Sequence, residues 1–423
     1  MRKGLARTRH GLIAALDVGC SKVCCFIARC DGGSVPHVIG IGQQASRGIK
    51  SGAVVDMAAV EITILNAVHA AEQMAGHTVD RVIVSLSGGH PASTSVGVEV
   101  AINGHEIGDA DLRRAFAHGQ DANGQGEGAG NGRQLIHSIP TGYKIDGHRG
   151  IRDPRGMYGD QLGVDMHIVT AASSAVRNLT TCVQRSHLDV AGFVVAPYAS
   201  GLAALVADEK ELGVTVIDMG GGTTTIAVFY EGNVVYTDGV PVGGMHVTSD
   251  IARGLSTPLA HAERMKTLFG HAMPVTADER EMIDVPQVGE DDGGHLRQVP
   301  RSLLVGIVQP RLEETFEMVR SHLEASGFAK IAGRRVVLTG GASQLPGLPD
   351  LAALILDKQV RIGRPIHVRG LAEATAGPAY AAGAGLLVYA SLAEMAAQLR
   401  TRPQDGEPDG LIGRFGQWFR EHF

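Results

Sequence analysis

The chain has 423 residues, 44% of them hydrophobic and 19% charged, with a formal net charge of −6 at pH 7. That length and apolar content describe a globular protein of roughly two to four domains with a full core. The acidic balance argues against a sequence-independent nucleic-acid binder, and no stretch reaches the roughly 20 apolar residues of a membrane span.

At the N-terminus, Arg2, Lys3, Arg7 and Arg9 precede an apolar run from Leu12, the outline of a signal peptide. Asp17 cuts that run after about five residues and no cleavage site follows, so a cytoplasmic protein is expected. Residues 12–28 (LIAALDVGCSKVCCFIA) read as a buried strand, an Asp, a tight Gly turn and a second strand. The five cysteines, Cys20, Cys24, Cys25, Cys30 and Cys182, are too few and too clustered for a disulfide framework. Their spacing fits no zinc pattern, and strand alternation sends Cys24 and Cys25 to opposite faces. They read as small buried hydrophobes in a reducing compartment.

A helical pattern follows over 54–75, then a buried strand over 81–87 ended by Gly88 and Gly89. Strands at 94–101, 135–144 and 164–169 surround a Gly- and Asn-rich stretch at 119–132, which is expected to be a mobile loop. Residues 88–167 therefore read as a small α+β subdomain inserted in a first lobe. A helix at 172–186, a strand at 190–195 and a helix from Pro197 to about 207 lead to residues 213–229 (GVTVIDMGGGTTTIAVF). This segment repeats the first one: strand, Asp218, Gly turn, strand.

Two such hairpins suggest two related lobes gripping a phosphate chain. Asp17 and Asp218 each place a carboxylate at a strand end, suited to Mg²⁺, directly or through water. Gly19, Gly220, Gly221 and Gly222 let backbone N–H groups approach phosphate oxygens. Ser21, Thr223, Thr224 and Thr225 add hydroxyl donors, and Lys22 a point charge. A strand, not a helix, follows each turn, which argues against a P-loop or a Rossmann fingerprint.

Beyond the second hairpin come a strand at 234–242, Gly243 and Gly244, and helices near 247–255 and 259–269. Residues 284–300 read as an acidic loop punctuated by Pro and Gly. A long helix at 303–324 is expected to break at Pro310 or to begin there. A strand at 335–338 ends in Thr339, Gly340, Gly341 and Ala342, a third Gly turn against which a flat ring or ribose can lie. Glu263 and Lys266 could meet ribose hydroxyls and a base, or form a solvated i,i+3 salt bridge. The last globular element is a helix over 377–400, followed by a linker at 400–410.

The final segment, LIGRFGQWFREHF, holds the chain's one Trp and three of its ten Phe. Leu411, Ile412, Phe415, Trp418, Phe419 and Phe423 share one helical face, with Arg414, Gln417, Arg420 and Glu421 opposite. A core-docking helix is one reading. The linker, the aromatic face and the arginines favour an interfacial membrane helix that binds reversibly alone and firmly as an array.

The ordered set comprises the first hairpin, the insert, the helix entry at 197–205, IDMGGGTTTIAVF, VPVGGMHVTSDIA, AERMK and VVLTGGASQLPGL. This set resembles the actin–Hsp70–sugar kinase superfamily and, within it, the FtsA family of bacterial cell-division proteins. The resemblance implies an α/β, actin-like ATPase fold of two duplicated, ribonuclease H-like lobes. It implies lobe 1 at 10–87, 168–200 and 365–399, an inserted subdomain at 88–167, and lobe 2 at 201–249 and 332–364. A further subdomain then occupies 250–331, and the amphipathic helix 411–423. ATP and Mg²⁺ are the implied ligands. Asp17, Gly19, Cys20, Ser21, Lys22, Asp218, Gly220–Gly222, Thr223, Thr224, Gly243 and Gly244 would serve phosphate and metal. Glu263, Lys266, Gly340, Gly341 and Ala342 would serve adenosine.

The implied role is a polymer on the cytoplasmic face of the inner membrane at the division site. It would tether FtsZ through the tail and recruit later division proteins. Arg297 and Arg301 are candidates to meet the acidic FtsZ C-terminal peptide, or are simply solubilising. The insert would mediate contacts between copies, with anionic lipid as the membrane partner and no nucleic acid. Hsp70-type relatives carry an acidic residue before the Pro of the helix entry, where this chain has Ala196. Weak turnover or none is therefore expected. A small-molecule kinase of the same superfold and a pilus-assembly actin homologue are the alternatives.

Overall fold

The computed structural model describes residues 11–30, 35–122, 132–276, 278–289 and 297–401. Two five-stranded sheets share one strand order. In the first, Leu12–Val18 is central. It pairs antiparallel with Lys22–Arg29, which pairs with His37–Ala45; on its other side it runs parallel to Arg81–Leu86 and then Asp189–Val195. In the second, Val214–Met219 takes the central place. Thr224–Tyr230 and Asn233–Val240 lie antiparallel on one side, Arg335–Thr339 and Gln359–Ile362 parallel on the other. Even the register repeats: Asp17 stands opposite Cys24, and Asp218 opposite Thr225. Burial on both faces accounts for the nearly continuous apolar runs of the central strands.

Strand His37–Ala45 has no counterpart in the sequence pattern, because Gly40 and Gly42 dilute it. A Cβ at Gly42 would lie 1.8 Å from the Ala67 carbonyl oxygen, and one at Gly40 2.3 Å from that of Ala71. The glycines let helix Met57–Ala75 lie directly on the strand. Asp56 caps this helix by accepting from the Ala59 N–H at 3.1 Å, so it starts after the cap and not at residue 54.

Between Arg81–Leu86 and helix Ser173–Arg185 the chain forms a separate four-stranded antiparallel sheet. Its order is Ala92–Ala101, Gln161–Ala172, Arg133–Ile145 and His148–Ile151. Helix Asp109–Ala122 closes it over a core that includes Ile102, Leu112, Leu162 and Met166. This helix runs through residues 119–122, where the composition predicts a loop; residues 123–131 lie outside the described residues.

In the second lobe, helices Gly244–Leu255, Leu259–Phe269 and Arg301–Ala325 pack with the second sheet in one core. Two sequence expectations fail here. Helix Arg301–Ala325 passes through Pro310 without a break. The ends of the expected 284–300 loop pair as a ribbon, Met282–Val285 against Arg297–Pro300. The third Gly turn enters a short 3-10 turn, Gly341–Gln344, before helix Leu348–Leu356.

Helix Ala196–Ala204, buried at every residue, joins the two sheets. Helix Ala381–Thr401 crosses it where a Cβ at Gly385 would stand 1.7 Å from the Ala199 carbonyl oxygen. Phe26 from the first sheet, Phe229 from the second, Tyr198 and Leu387 meet in one cluster, so the lobes share a core at this junction. Among the described residues, no helix is long and apolar enough to cross a membrane.

The junction gives a direct test. Gly385→Ala should cost about 1–3 kcal/mol through overpacking and lower the melting temperature by several degrees. Gly192→Ala, at a strand position with open space, should melt near wild type. Indistinguishable melts for the two variants would contradict the close crossing.

Candidate functional site

The two hairpin turns are built alike. The Gly19 N–H donates to the Lys22 carbonyl at 3.0 Å, and the Gly220 N–H to the Thr223 carbonyl at 2.9 Å. The turns also meet. A Cβ at Gly222 would fall 2.5 Å from Cys20 Sγ, and one at Gly221 3.1 Å from the Ser21 Cβ. The glycine run is thus required by the approach of the other lobe. Between the turns lies a cleft open to solvent. Asp17, Gly19, Cys20, Ser21 and Lys22 line it from the first lobe; Asp218, Gly220, Gly221, Gly222 and Thr223 line it from the second. Gly340 and Gly341 of the third turn join them, with Thr225, Ser87, Ala196, Pro378, Ala379 and Ala382.

The remaining expected residues stand behind this lining. Thr224 is fully buried and donates to the Val242 carbonyl at 2.8 Å; strand alternation points it away while Thr223 and Thr225 face the cleft. Gly243 and Gly244 back the second turn: the Gly244 N–H donates to the Gly220 carbonyl at 3.0 Å, and a Cβ at Gly243 would lie 2.6 Å from that oxygen. Lys266 Nζ donates to the Gly244 carbonyl at 3.0 Å, to Thr248 Oγ1 at 2.8 Å and to Glu263 Oε2 at 2.7 Å. The i,i+3 pairing of Glu263 and Lys266 is therefore made, and it ties two helices together. Ala342 packs near Gly244.

The carboxylates are propped by serines. Ser85 Oγ donates to Asp17 Oδ1 at 2.6 Å and itself accepts from the Val18 N–H at 3.0 Å. Ser200 Oγ donates to Asp218 Oδ2 at 2.5 Å. Burial raises the pKa of Asp17 despite the Ser85 bond and the Lys22 charge. Burial, reinforced by Asp17 and opposed by Ser200 and Lys22, pushes Asp218 up to about 6. Burial also lowers Lys22, whose ammonium lies 3.3 Å from the centroid of the Tyr380 ring. A Cβ at Gly340 would lie 2.4 Å from Asp218 Oδ1, so this third glycine is demanded by the carboxylate.

The arrangement suits a ligand that brings a cation and anionic oxygens together. Two carboxylates match the ligand count of Mg²⁺, which keeps several waters, and the glycines clear a path to backbone donors. Ser85, Ser200 and Tyr380 went unread in the sequence; an isolated hydroxyl in an apolar strand or helix was the available signal for the serines.

Elsewhere, Arg297 is exposed on its ribbon strand. Arg301 corrects the expectation of a free surface arginine. Its guanidinium donates to the Phe269 carbonyl at 2.8 Å and to Glu281 at 2.9 Å, and lies 3.5 Å from buried Asp278. It braces the subdomain. All five cysteines are buried thiols outside any disulfide. Burial pushes Cys24 and Cys25 up to about 12, as befits inert thiols. The expected linker beyond Thr401 and the membrane-binding residues of 411–423 lie outside the described residues.

A family model described as "Cell division protein FtsA" matches residues 215–385, and one described as "SHS2 domain inserted in FTSA" matches residues 88–170. The chain is 48% identical over 434 residues to the cell division protein FtsA of Agrobacterium fabrum, covering 100% of this chain and 97% of that one. Among solved structures, a PilM–PilN type IV pilus biogenesis complex matches with a TM-score of 0.63 at 18% identity, over 90% of this chain and 98% of that one. MreB5 of Spiroplasma citri bound to ADP matches with a TM-score of 0.55 at 12% identity, over 92% and 99%. These structural likenesses concern the fold, which is actin-like.

The acid pair yields a stability test. With a folded pKa of about 6 against an ordinary 3.8, Asp218 holds its proton more tightly when folded. Its cost is absent below pH 4, grows as pH rises through that window, and reaches roughly 3 kcal/mol above it. Asp218→Asn removes the charge and should raise the melting temperature of the ligand-free protein at pH 7.5 but not at pH 4. An equal gain at both values would remove the ionisation argument.

Proposed function

We propose a function from one premise: the chain belongs to the FtsA family of cell-division proteins. It is an ATP-binding, actin-like division protein that polymerises at the cytoplasmic face of the inner membrane. There it tethers FtsZ filaments through its C-terminal amphipathic helix and helps recruit later septum proteins. The observation that carries the nucleotide reading is the pair of turns built alike, whose glycines are closely crowded and whose two carboxylates, half-buried Asp17 and buried Asp218, face one cleft. Family membership sets aside the small-molecule kinase and the pilus-assembly homologue.

Asp17 and Asp218 would hold Mg²⁺, which neutralises phosphate charge when bound. Backbone N–H groups of Cys20, Ser21, Gly221 and Thr223 would donate to phosphate oxygens, those of Gly19 and Gly220 closing the turns, with Lys22 adding charge. Gly340, Gly341 and Ala342 would flank adenosine, and Glu263 and Lys266 would stiffen that side. Ala196 opens the buried helix at the cleft edge and brings neither an acid nor a base. ATP is accordingly a ligand of assembly, with weak turnover at most. The insert mediates contacts between copies. Arg297, exposed on its ribbon, meets the acidic FtsZ peptide, while Arg301 supports that surface from within. The 411–423 helix lies on anionic membrane and holds through the avidity of an array.

Binding of a fluorescent ATP analogue in the presence of Mg²⁺ tests the cleft. Ionised carboxylates hold the cation, so affinity should fall several-fold between pH 7.5 and 5.5, as Asp218 takes up its proton near 6. Asp17→Asn should weaken binding at least tenfold, about 1.4 kcal/mol or more. Unchanged affinity in that variant would reject the metal–phosphate assignment. A chain lacking 411–423 should stop pelleting with anionic vesicles and should no longer bring FtsZ with it. Continued pelleting of both would sink the tether.

A further inference from the structure

Lys22 makes an unusual choice of neighbour. Two carboxylates, Asp17 and Asp218, act on it electrostatically across the cleft, yet its ammonium forms no ion pair within 4.0 Å among the described residues. It rests on the Tyr380 ring, 3.3 Å from the centroid, where the face of the π-system attracts a cation. Lys22 lines the cleft, while the Tyr380 ring supports its ammonium from behind that lining, between the lining residues Ala379 and Ala382.

The ring itself is fixed from two directions. Tyr380 Oη donates to Gln43 Oε1 at 2.6 Å, which anchors it to strand His37–Ala45. Phe26 meets it edge to face, with centroids 6.4 Å apart and planes at 83°. Pro378, two residues earlier, accepts from the Gly340 N–H at 3.1 Å and from Thr339 Oγ1 at 3.1 Å, binding this turn to the third Gly turn. Helix Ala381–Thr401 starts immediately afterwards. Tyr380 is therefore held by the first sheet, by the second sheet's Gly turn and by the last helix at once.

We propose that Tyr380 is a positioning residue for the nucleotide: its ring, fixed by Gln43 and Phe26, holds the Lys22 ammonium against the cleft wall with its donors free for a phosphate group. The inference rests on the ATP reading of the cleft and adds a residue to it. An unrestrained lysine loses extensive rotamer freedom when it is ordered on a ligand, and a lysine already held by a ring loses less. Burial that lowers the lysine's basicity makes the same point, since a cation with few polar contacts gains most from an anionic ligand.

A double-mutant cycle on the full chain tests this with Mg·ATP and a fluorescent ATP analogue as probes. Tyr380→Leu should weaken binding roughly 3- to 30-fold, the span of a partly desolvated cation–π contact. Tyr380→Phe keeps the ring and its Phe26 contact but loses the Gln43 anchor, so its loss should be smaller than that of Tyr380→Leu. In a Lys22→Met background, Tyr380→Leu should have little further effect, because the residue acts through the lysine. Melting curves of every variant establish that it is folded before its affinity is read. Equal weakening with and without Lys22 would show that Tyr380 acts independently of the lysine and overturn the proposal. Tighter binding by Tyr380→Leu would overturn it as well, since the ring would then be competing with the phosphate. Wild type that fails to bind Mg·ATP would overturn the proposal together with the nucleotide reading beneath it.

Discussion

Two acids at facing strand ends, Asp218 buried and Asp17 half-buried, are the constraint from which the rest of the site follows. Each carboxylate terminates the central strand of its sheet, at the point where antiparallel neighbours on one side give way to parallel neighbours on the other. Neither acid has a cationic partner within ion-pair distance among the described residues. Each is held by one serine, and burial drives both toward protonation. An arrangement that costs stability when empty is stabilised by whatever neutralises it, so ligand binding and folding are linked through these two groups.

Duplication explains how one short motif can make such a site. The two hairpins have equal turns and equal register, so each contributes a carboxylate and a ring of backbone donors in the same orientation within its own lobe. Sequence does not have to be equal for this. Where the first turn has Cys20 and Ser21, the second has Gly221 and Gly222, because the second turn must fit beneath the side chains of the first. The shared core around Tyr198, Phe229 and Leu387 then sets the distance between lobes.

The turns were legible in the sequence because Asp followed by Gly after an apolar run is a local signal. What was lost depends on contacts far along the chain. Thr224 looked equivalent to Thr223 until the pleat assigned it to the back of the strand. Strand His37–Ala45 was hidden by glycines that serve a helix lying on it. Pro310 promises a break that helix Arg301–Ala325 does not make, and Arg301 promises a surface charge that Asp278 and Glu281 retain. Tyr380 carries no local mark of a role, and Ser200 only that of a lone hydroxyl in an apolar helix; each acquires its role by meeting Lys22 or Asp218 in space.

The insert shows the same dependence at larger scale. By chain it belongs to the first lobe, but it docks on the edge strand of the second. Ser93 Oγ donates to the Thr237 carbonyl at 2.7 Å and accepts from the Thr237 N–H at 3.0 Å. Arg152 reaches Glu211 at 3.3 Å, and buried His167 lies 3.4 Å from Thr237 Oγ1. The contacts cover an edge that would otherwise present unpaired backbone groups. They also add to the ties between the lobes made by helix Ala196–Ala204 and by the Pro378 turn on the third Gly turn. A change of angle between the lobes must therefore break these bonds or carry the insert along. The first course forfeits reciprocal hydrogen bonds at a partly buried contact, and the second moves the exposed surface of the insert as the cleft changes shape. Either way, a ligand acting on two glycine turns cannot alter the cleft without acting on the insert.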